Sequence, residues 1–115
     1  RHITENLDES VRILSTWTND RSFRVRRFAS EATRPRGVWA EHIQALKDKP
    51  EIGLPILLPL KADSERYVQD SVANWLNDAA KSQPEWVKKV CAEWTKKSPS
   101  DATSYVTKRA MRSLK

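Results

Sequence analysis

Glycine, cysteine, methionine and histidine are all scarce in this chain of 115 residues, which has two glycines, one cysteine, one methionine and two histidines. With so few glycines beside 38% apolar and 31% charged residues, the composition is that of a helical protein and too ordered for a disordered tail. The lone Cys91 excludes an intrachain disulfide and a cysteine cluster for zinc, and it fits a reducing cytoplasm. It lies on the apolar stripe Val87, Val90, Cys91, Trp94, where packing is its expected role. His2 and His42 are far apart and neither has a second ligand at metal spacing, so no metal site is expected. The longest apolar stretch, Ile52 to Leu60, is too short to cross a bilayer and is interrupted by Pro55 and Pro59, so no membrane partner is expected. The chain opens on Arg1 without a signal-peptide pattern, which reads as a processed product or as a start inside a longer gene.

What the chain does have is basic charge. Lys and Arg number 21 against 15 Asp and Glu, a formal net charge of +6 with a pI of about 9.7. A polyanion is a reasonable partner for such a surface, and plain solubility charge is an equally good account of the total. The arrangement of the charges has to decide between them. Length and composition suggest no internal boundary, so residues 1–115 form one domain, or the C-terminal part of a longer protein.

Three segments align: DRSFRVRRFASEATR from Asp20, DSERYVQDSVANWLN from Asp63 and DATSYVTKRAMRSLK from Asp101. Each carries Asp, then Val five residues on, then a small or β-branched residue four after that, giving Asp20-Val25-Ala29, Asp63-Val68-Val72 and Asp101-Val106-Ala110. The shifts of 43 and 38 residues approximate the two-helix repeat periods of roughly 40 to 47 residues. The Asp, or the Ser beside it at Ser22, Ser64 and Ser100, can accept hydrogen bonds from the first free N–H groups of a helix. The Val and the residue four later share one face and predict burial.

A first helix precedes each copy. Residues 8–17 place Val11, Leu14 and Trp17 on one stripe, and residues 84–96 do the same with Val87, Val90, Cys91 and Trp94 behind a first-turn Pro84. The middle counterpart, LPILLPLK from Leu54, carries Pro59 where a backbone donor is needed, which predicts a distorted but buried helix. RPRG at 34–37 breaks the chain, and VWAEHIQALKD resumes it as an extra short amphipathic helix through about Leu46. The expectation is an all-α, right-handed, HEAT-like helical-repeat solenoid with three helix pairs and one extra short helix, about seven helices in all.

These residues resemble a known family. The strings VRRFASEATRPRGVW (25–39), YVQDSVANWLNDAAK (67–81) and YVTKRAMRSLK (105–115) look like successive signatures of the AlkC/AlkD-type DNA alkylation-repair glycosylases, and the similarity runs from Asp8 onward. The resemblance implies a HEAT-like solenoid whose concave basic surface holds double-stranded DNA, with no metal or organic cofactor. Members remove bases whose alkyl group leaves a positive charge on the ring. Such a base is already a good leaving group, so the protein mainly stabilises positive charge developing on the sugar, through a nearby carboxylate and aromatic faces. Two departures stand out: Gln69-Asp70 replaces a basic pair, and Gly37-Val38 replaces leucine-proline after RPR. An AlkD-like catalytic Asp and Trp belong to repeats upstream of the matched part, which leaves open whether this chain alone is an enzyme.

The repeat register selects a candidate face. Offsets of two, six and nine from the Val give Arg27-Glu31-Arg34, Asp70-Asn74-Asn77 and Lys108-Arg112-Lys115, each on one side of its helix and away from the Val stripe. Arg26, Arg27, Arg34 and Arg36 are the leading candidates for phosphate contact, joined by Asn74, Asn77, Lys81, Lys108 and Arg112. The plain alternative is a solvated face with an Arg27–Glu31 surface pair and an Asp70, Asn74, Asp78, Lys81 series bonded along the helix. Glu31 and Asp78 are the two carboxylates considered for the chemistry beside a damaged nucleotide. Packing is the expected role of Trp17, Trp86 and Trp94, whereas Trp39 and Trp75 are read either as buried or as exposed stacking residues.

The expected function is that of a DNA-binding helical-repeat segment of a glycosylase for cationic alkylated bases, in the cytoplasm. The alternative is a non-catalytic repeat scaffold binding protein or RNA through the same surface.

Overall fold

The computed structural model describes residues 7–35 and 44–114. Among these are seven α-helices: α1 (Leu7–Trp17), α2 (Phe23–Glu31), α3 (Gln44–Asp48), α4 (Leu54–Leu60), α5 (Arg66–Ala80), α6 (Pro84–Lys97) and α7 (Asp101–Ala110), with a 3-10 turn at Pro50–Gly53. No strand occurs among the described residues. The three aligned segments are α2, α5 and α7, and each is the second member of a pair with α1, α4 and α6. The second helices stack side by side, with α5 between α2 and α7. Arg36, Trp39 and Lys115, together with the start of the extra helix, lie outside the described residues.

The starts of the second helices follow local chemistry rather than one template. At α2 the Asp20 carboxylate accepts from the Ser22 N–H at 2.8 Å, and the Ser22 hydroxyl caps the helix by accepting from the Arg24 N–H at 3.2 Å. At α5 the Asp63 carboxylate accepts from the Glu65 N–H at 2.9 Å, and Ser64 does not cap; Glu65 holds the cap position without a side-chain bond. At α7 Ser100 caps through the Thr103 N–H at 3.0 Å, and Asp101 is already the first helical residue. The third helix therefore begins three residues earlier relative to its Val than the other two. A hydroxyl cap can be reached from either position, so the repeat preserves the buried stripe better than it preserves the helix start.

That stripe is where the repeat predicts it. Val68, Val72, Val106, Ala29 and Ala110 have no exposure, and Val25, on the pair at the edge of the stack, is half-buried. Val11, Leu14, Val87, Val90, Cys91 and Trp94 face the same core from the first helices. Burial of each large apolar side chain is worth about 1.5–3 kcal/mol, so this continuous core is the main source of stability. Trp17 is a correction: at 38% exposure it lies against Phe28 at the outer edge of the first pair, with ring centroids 5.7 Å apart. The helix α1 ends at Trp17, and the chain turns away at residues 18–19 instead of continuing the helix.

The first helix of the middle pair is short, as its prolines require. Pro59 sits inside α4, where it cannot donate, and the helix ends one residue later at Leu60. Ile56, Leu57 and Leu60 are nonetheless fully buried. The extra helix runs two residues past Leu46 to Asp48 and is followed by the 3-10 turn, which the spacing of apolar residues did not foreshadow. Its last residue, Gly53, passes against the indole of Trp75, the largest fully buried side chain. The Trp75 Nε1–H donates to the Thr33 hydroxyl at 3.0 Å, tying α5 to the end of α2. Trp75 is thus a core residue, not a stacking surface.

Candidate nucleic-acid interface

The polar residues of the second helices reach across the gaps between helices instead of along them. Arg34 donates to both carboxylate oxygens of Asp78, at 2.8 Å from Nε and 3.2 Å from Nη2. Arg26 does the same with Asp63, at 2.7 and 3.1 Å, and its Nη1 donates to the carbonyls of Asp20 and Arg21. On the other side of α5, the Tyr105 hydroxyl donates to Asp70 Oδ1 at 2.6 Å, and Arg109 Nε lies 3.5 Å from the same oxygen. Arg112 donates to Asn74 Oδ1 at 3.0 Å, and Asn77 Nδ2 donates to the Ala110 carbonyl and the Ser113 hydroxyl. The series Asp70, Asn74, Asp78 therefore staples α5 to its neighbours, and the expected ladder along one helix is absent.

This bonding separates the predicted site residues. Asp78 is 5% exposed with both oxygens on Arg34, so it holds the guanidinium and does not face a ligand. Its carboxylate, with help from Glu31, keeps the Arg34 guanidinium above its ordinary pKa. Arg26 is likewise raised, by its hydrogen bonds to Asp63, and its donors are spent inside the fold. Asn77 is buried and its amide is used to anchor the end of α7. Lys81, Lys108 and Arg112 are exposed at the helix ends.

The others converge. A depression of about 210 Å³ between α2, α5 and α7 is lined by Arg27, Glu31, Arg34, Tyr67, Asp70, Ser71, Asn74 and Arg109. Glu31 is its most constrained carboxylate: Oε1 accepts from the Ser71 hydroxyl at 2.8 Å, and Oε2 lies 3.4 Å from Arg27 and 3.5 Å from Arg34. Ser71 is in turn bonded to the buried hydroxyl of Ser30. One quarter of the Glu31 side chain stays open to solvent, so the anion is held in place yet reachable. Arg27 lies over the Tyr67 ring, 4.2 Å from its centroid, and Phe23 meets that ring edge-on. One junction further, Arg66 lies over Tyr105 at 3.5 Å.

Tyr67, Ser71 and Arg109 were not among the sequence candidates. Tyr67 stands one residue before its Val, and Ser71 and Arg109 stand three after theirs. Those offsets lie on the same side of a helix as two and six, so a wider stripe would have included them. Among the described residues, no group of three His, Cys, Asp or Glu is placed to hold a metal ion, and no helix is long and apolar enough to cross a membrane.

Comparison with known proteins bears on this arrangement. The family model described as DNA alkylation repair enzyme matches residues 1–114. The uncharacterized protein YhaZ of Bacillus subtilis is 40% identical over 107 residues, which are 93% of this chain and 29% of that protein. Among solved structures, the Pseudomonas fluorescens alkylpurine DNA glycosylase AlkC, bound to DNA containing an abasic site analog, superposes with a TM-score of 0.87 at 38% identity. That match covers 97% of this chain and 31% of the glycosylase, so the chain spans under a third of the length of both relatives.

Proposed function

The chain belongs to the DNA alkylation repair enzyme family, and on that premise we propose that it forms the duplex-binding, helical-repeat part of a glycosylase that removes cationic alkylated bases. The observation that carries the reading is Glu31, a carboxylate fixed by Ser71, Arg27 and Arg34 in an open depression on the face of the second helices.

In the proposed reaction the bond between sugar C1′ and the ring nitrogen breaks, and its electron pair neutralises the positive ring as it leaves. The sugar carries the resulting positive charge until water adds at C1′ and releases a proton to solvent. Glu31 stabilises that charge, and because its position is set in advance no reorganisation is required when the charge forms. Asp78 acts through Arg34 as a positioning residue. Arg27, Arg109, Lys108 and Arg112 supply phosphate contacts around the depression, with Asn74 and Lys81 beside them. The lone buried Cys91 supports a cytoplasmic setting.

The test is duplex binding measured against salt for the chain and for Lys81→Glu, Lys108→Glu and Arg112→Glu combined, all three exposed. Reversal of Arg26, Arg27, Arg34 or Arg109 is unsuitable, because each would break an internal pair. Binding by the parent that weakens steeply with salt, and its loss in the triple variant, is the expected result. Equal binding by both would remove this face from the interface and favour the non-catalytic scaffold.

A further inference from the structure

Arg66 has no part in the contacts proposed above. It opens α5, is exposed, and holds its guanidinium over the Tyr105 ring, 3.5 Å from the centroid. The Tyr105 hydroxyl is bonded to Asp70, so the ring beneath Arg66 is fixed at its far end. The first junction carries the matching pair, Arg27 over Tyr67, and both tyrosines stand one residue before the repeat Val. The two arginines differ in what else they meet. Arg27 lies 3.4 Å from Glu31, whereas Arg66 has no hydrogen bond and no carboxylate partner among the described residues. An aromatic face holds a guanidinium without using its N–H groups, so Arg66 is placed while all its donors stay free.

Arg66, Asp70 and Asn74 follow one another at four-residue spacing on the side of α5 that meets α7. Asp70 pairs with Arg109 in the middle of this stripe, and Arg112 is bonded to Asn74 at its far end. At a rise of 1.5 Å per residue, Arg66 and Asn74 are about 12 Å apart along the helix axis. That direction runs across the stack of second helices, whereas a duplex that touches Arg27 on α2 and Lys108 on α7 lies along the stack. Its two backbones then pass opposite ends of the stripe, and about 12 Å is the scale of the wider groove between them. We propose that Arg66 binds a phosphate of one strand, opposite the strand held by Arg112, so that this face grips both backbones. This rests on the proposed function and names how that surface meets the duplex. Tyr105 is the positioning residue that holds Arg66 at its end of the stripe.

The experiment uses the intact chain and a duplex with one tetrahydrofuran abasic analogue, which marks one strand. Affinity is measured against salt for the all-phosphate duplex and for two versions in which neutral methylphosphonate linkages replace the phosphates of the marked strand or of its complement. On the all-phosphate duplex, Arg66→Ala and Arg112→Ala should each lower the slope of log affinity against log salt by about 0.9, one phosphate contact apiece, and Arg66→Lys should restore it. The Arg66→Ala effect should vanish on one substituted duplex and the Arg112→Ala effect on the other. A merely structural role would weaken binding without changing the slope. Loss of both effects on the same duplex, or persistence of either on both, overturns the two-strand inference. An unchanged slope for either variant on the all-phosphate duplex also overturns it, and leaves the proposed function standing if the reversal of Lys81, Lys108 and Arg112 abolishes binding. Failure of the parent chain to bind any duplex overturns both.

Discussion

Gly53→Ala is predicted to destabilise the protein although its backbone would welcome the change. Gly53 has φ −85° and ψ −4°, which alanine adopts freely, so the loss of unfolded-state freedom alone would stabilise by about 0.4–1 kcal/mol. The added methyl, however, would lie 2.4 Å from Trp75 Cζ2 and 2.9 Å from Cη2. Ordinary carbon contacts are about 3.5–4.0 Å, so the indole has to retreat by about 1 Å. It has nowhere to go, because Trp75 is fully buried and its Nε1–H is bonded to Thr33. Overpacking of this kind costs ~1–3 kcal/mol, and after that gain a net loss of roughly 1 kcal/mol lowers the melting temperature of a domain this size by about 5 °C. Thermal unfolding followed by far-ultraviolet circular dichroism reads this directly. In a Trp75→Phe background, which removes the clashing ring atoms, Gly53→Ala should be neutral or stabilising, and the difference is the coupling energy. A melting temperature that is unchanged or raised by Gly53→Ala in the parent would refute the packing account of Trp75, and with it the anchoring of the α2 end that carries Glu31.

Three further outcomes follow from burial and the bonding pattern. Burial pushes the Cys91 thiol up to about 11, so the native protein should resist thiol-alkylating reagents at about pH 8 and react fully once unfolded. Because the folded value is raised, this group's contribution to stability is complete below the ordinary value of 9.0 and is lost as pH rises through 11, which urea unfolding at a series of alkaline pH values would register. Arg26→Ala should lower the melting temperature by stranding Asp63 while leaving the salt dependence of duplex binding unchanged, because its donors are already bonded to Asp63 and to the Asp20 and Arg21 carbonyls.

The buried half of the fold was legible because burial has a period. Val68, Val72, Val106 and Ala110 recur at fixed offsets, and the structure buries all of them completely. Pro59 announced a short α4 through its missing donor, and α4 spans only Leu54–Leu60. Trp17 was misplaced because a helical stripe does not say where the helix stops, and its residue is the last of α1. The polar face was legible only in part. Offsets on one helix located Glu31, Arg27 and Arg34, but the identity of each partner depends on how far apart two helices pack. Nothing in the local sequence of Arg26 distinguishes it from Arg27, yet one is clamped on Asp63 and the other lies over Tyr67. Asp78 and Glu31 were equivalent carboxylates until the α2–α5 gap assigned Arg34 to the first and Ser71 to the second.

Glu31→Gln tests the central claim most directly, because it is nearly isosteric and Ser71 can still donate to the amide oxygen. A carboxylate about 4 Å from a developing sugar cation contributes about 4 kcal/mol at an effective dielectric constant of 20. Loss of that charge corresponds to a fall of ~10²–10³-fold in the rate of base release. The measurement is single-turnover release of a methylated base from alkylated duplex DNA, made with this chain and with a longer chain that extends it. A fall of that size with duplex affinity retained is the predicted result. Release at the parent rate by Glu31→Gln would contradict the assignment of Glu31 as the carboxylate of the site.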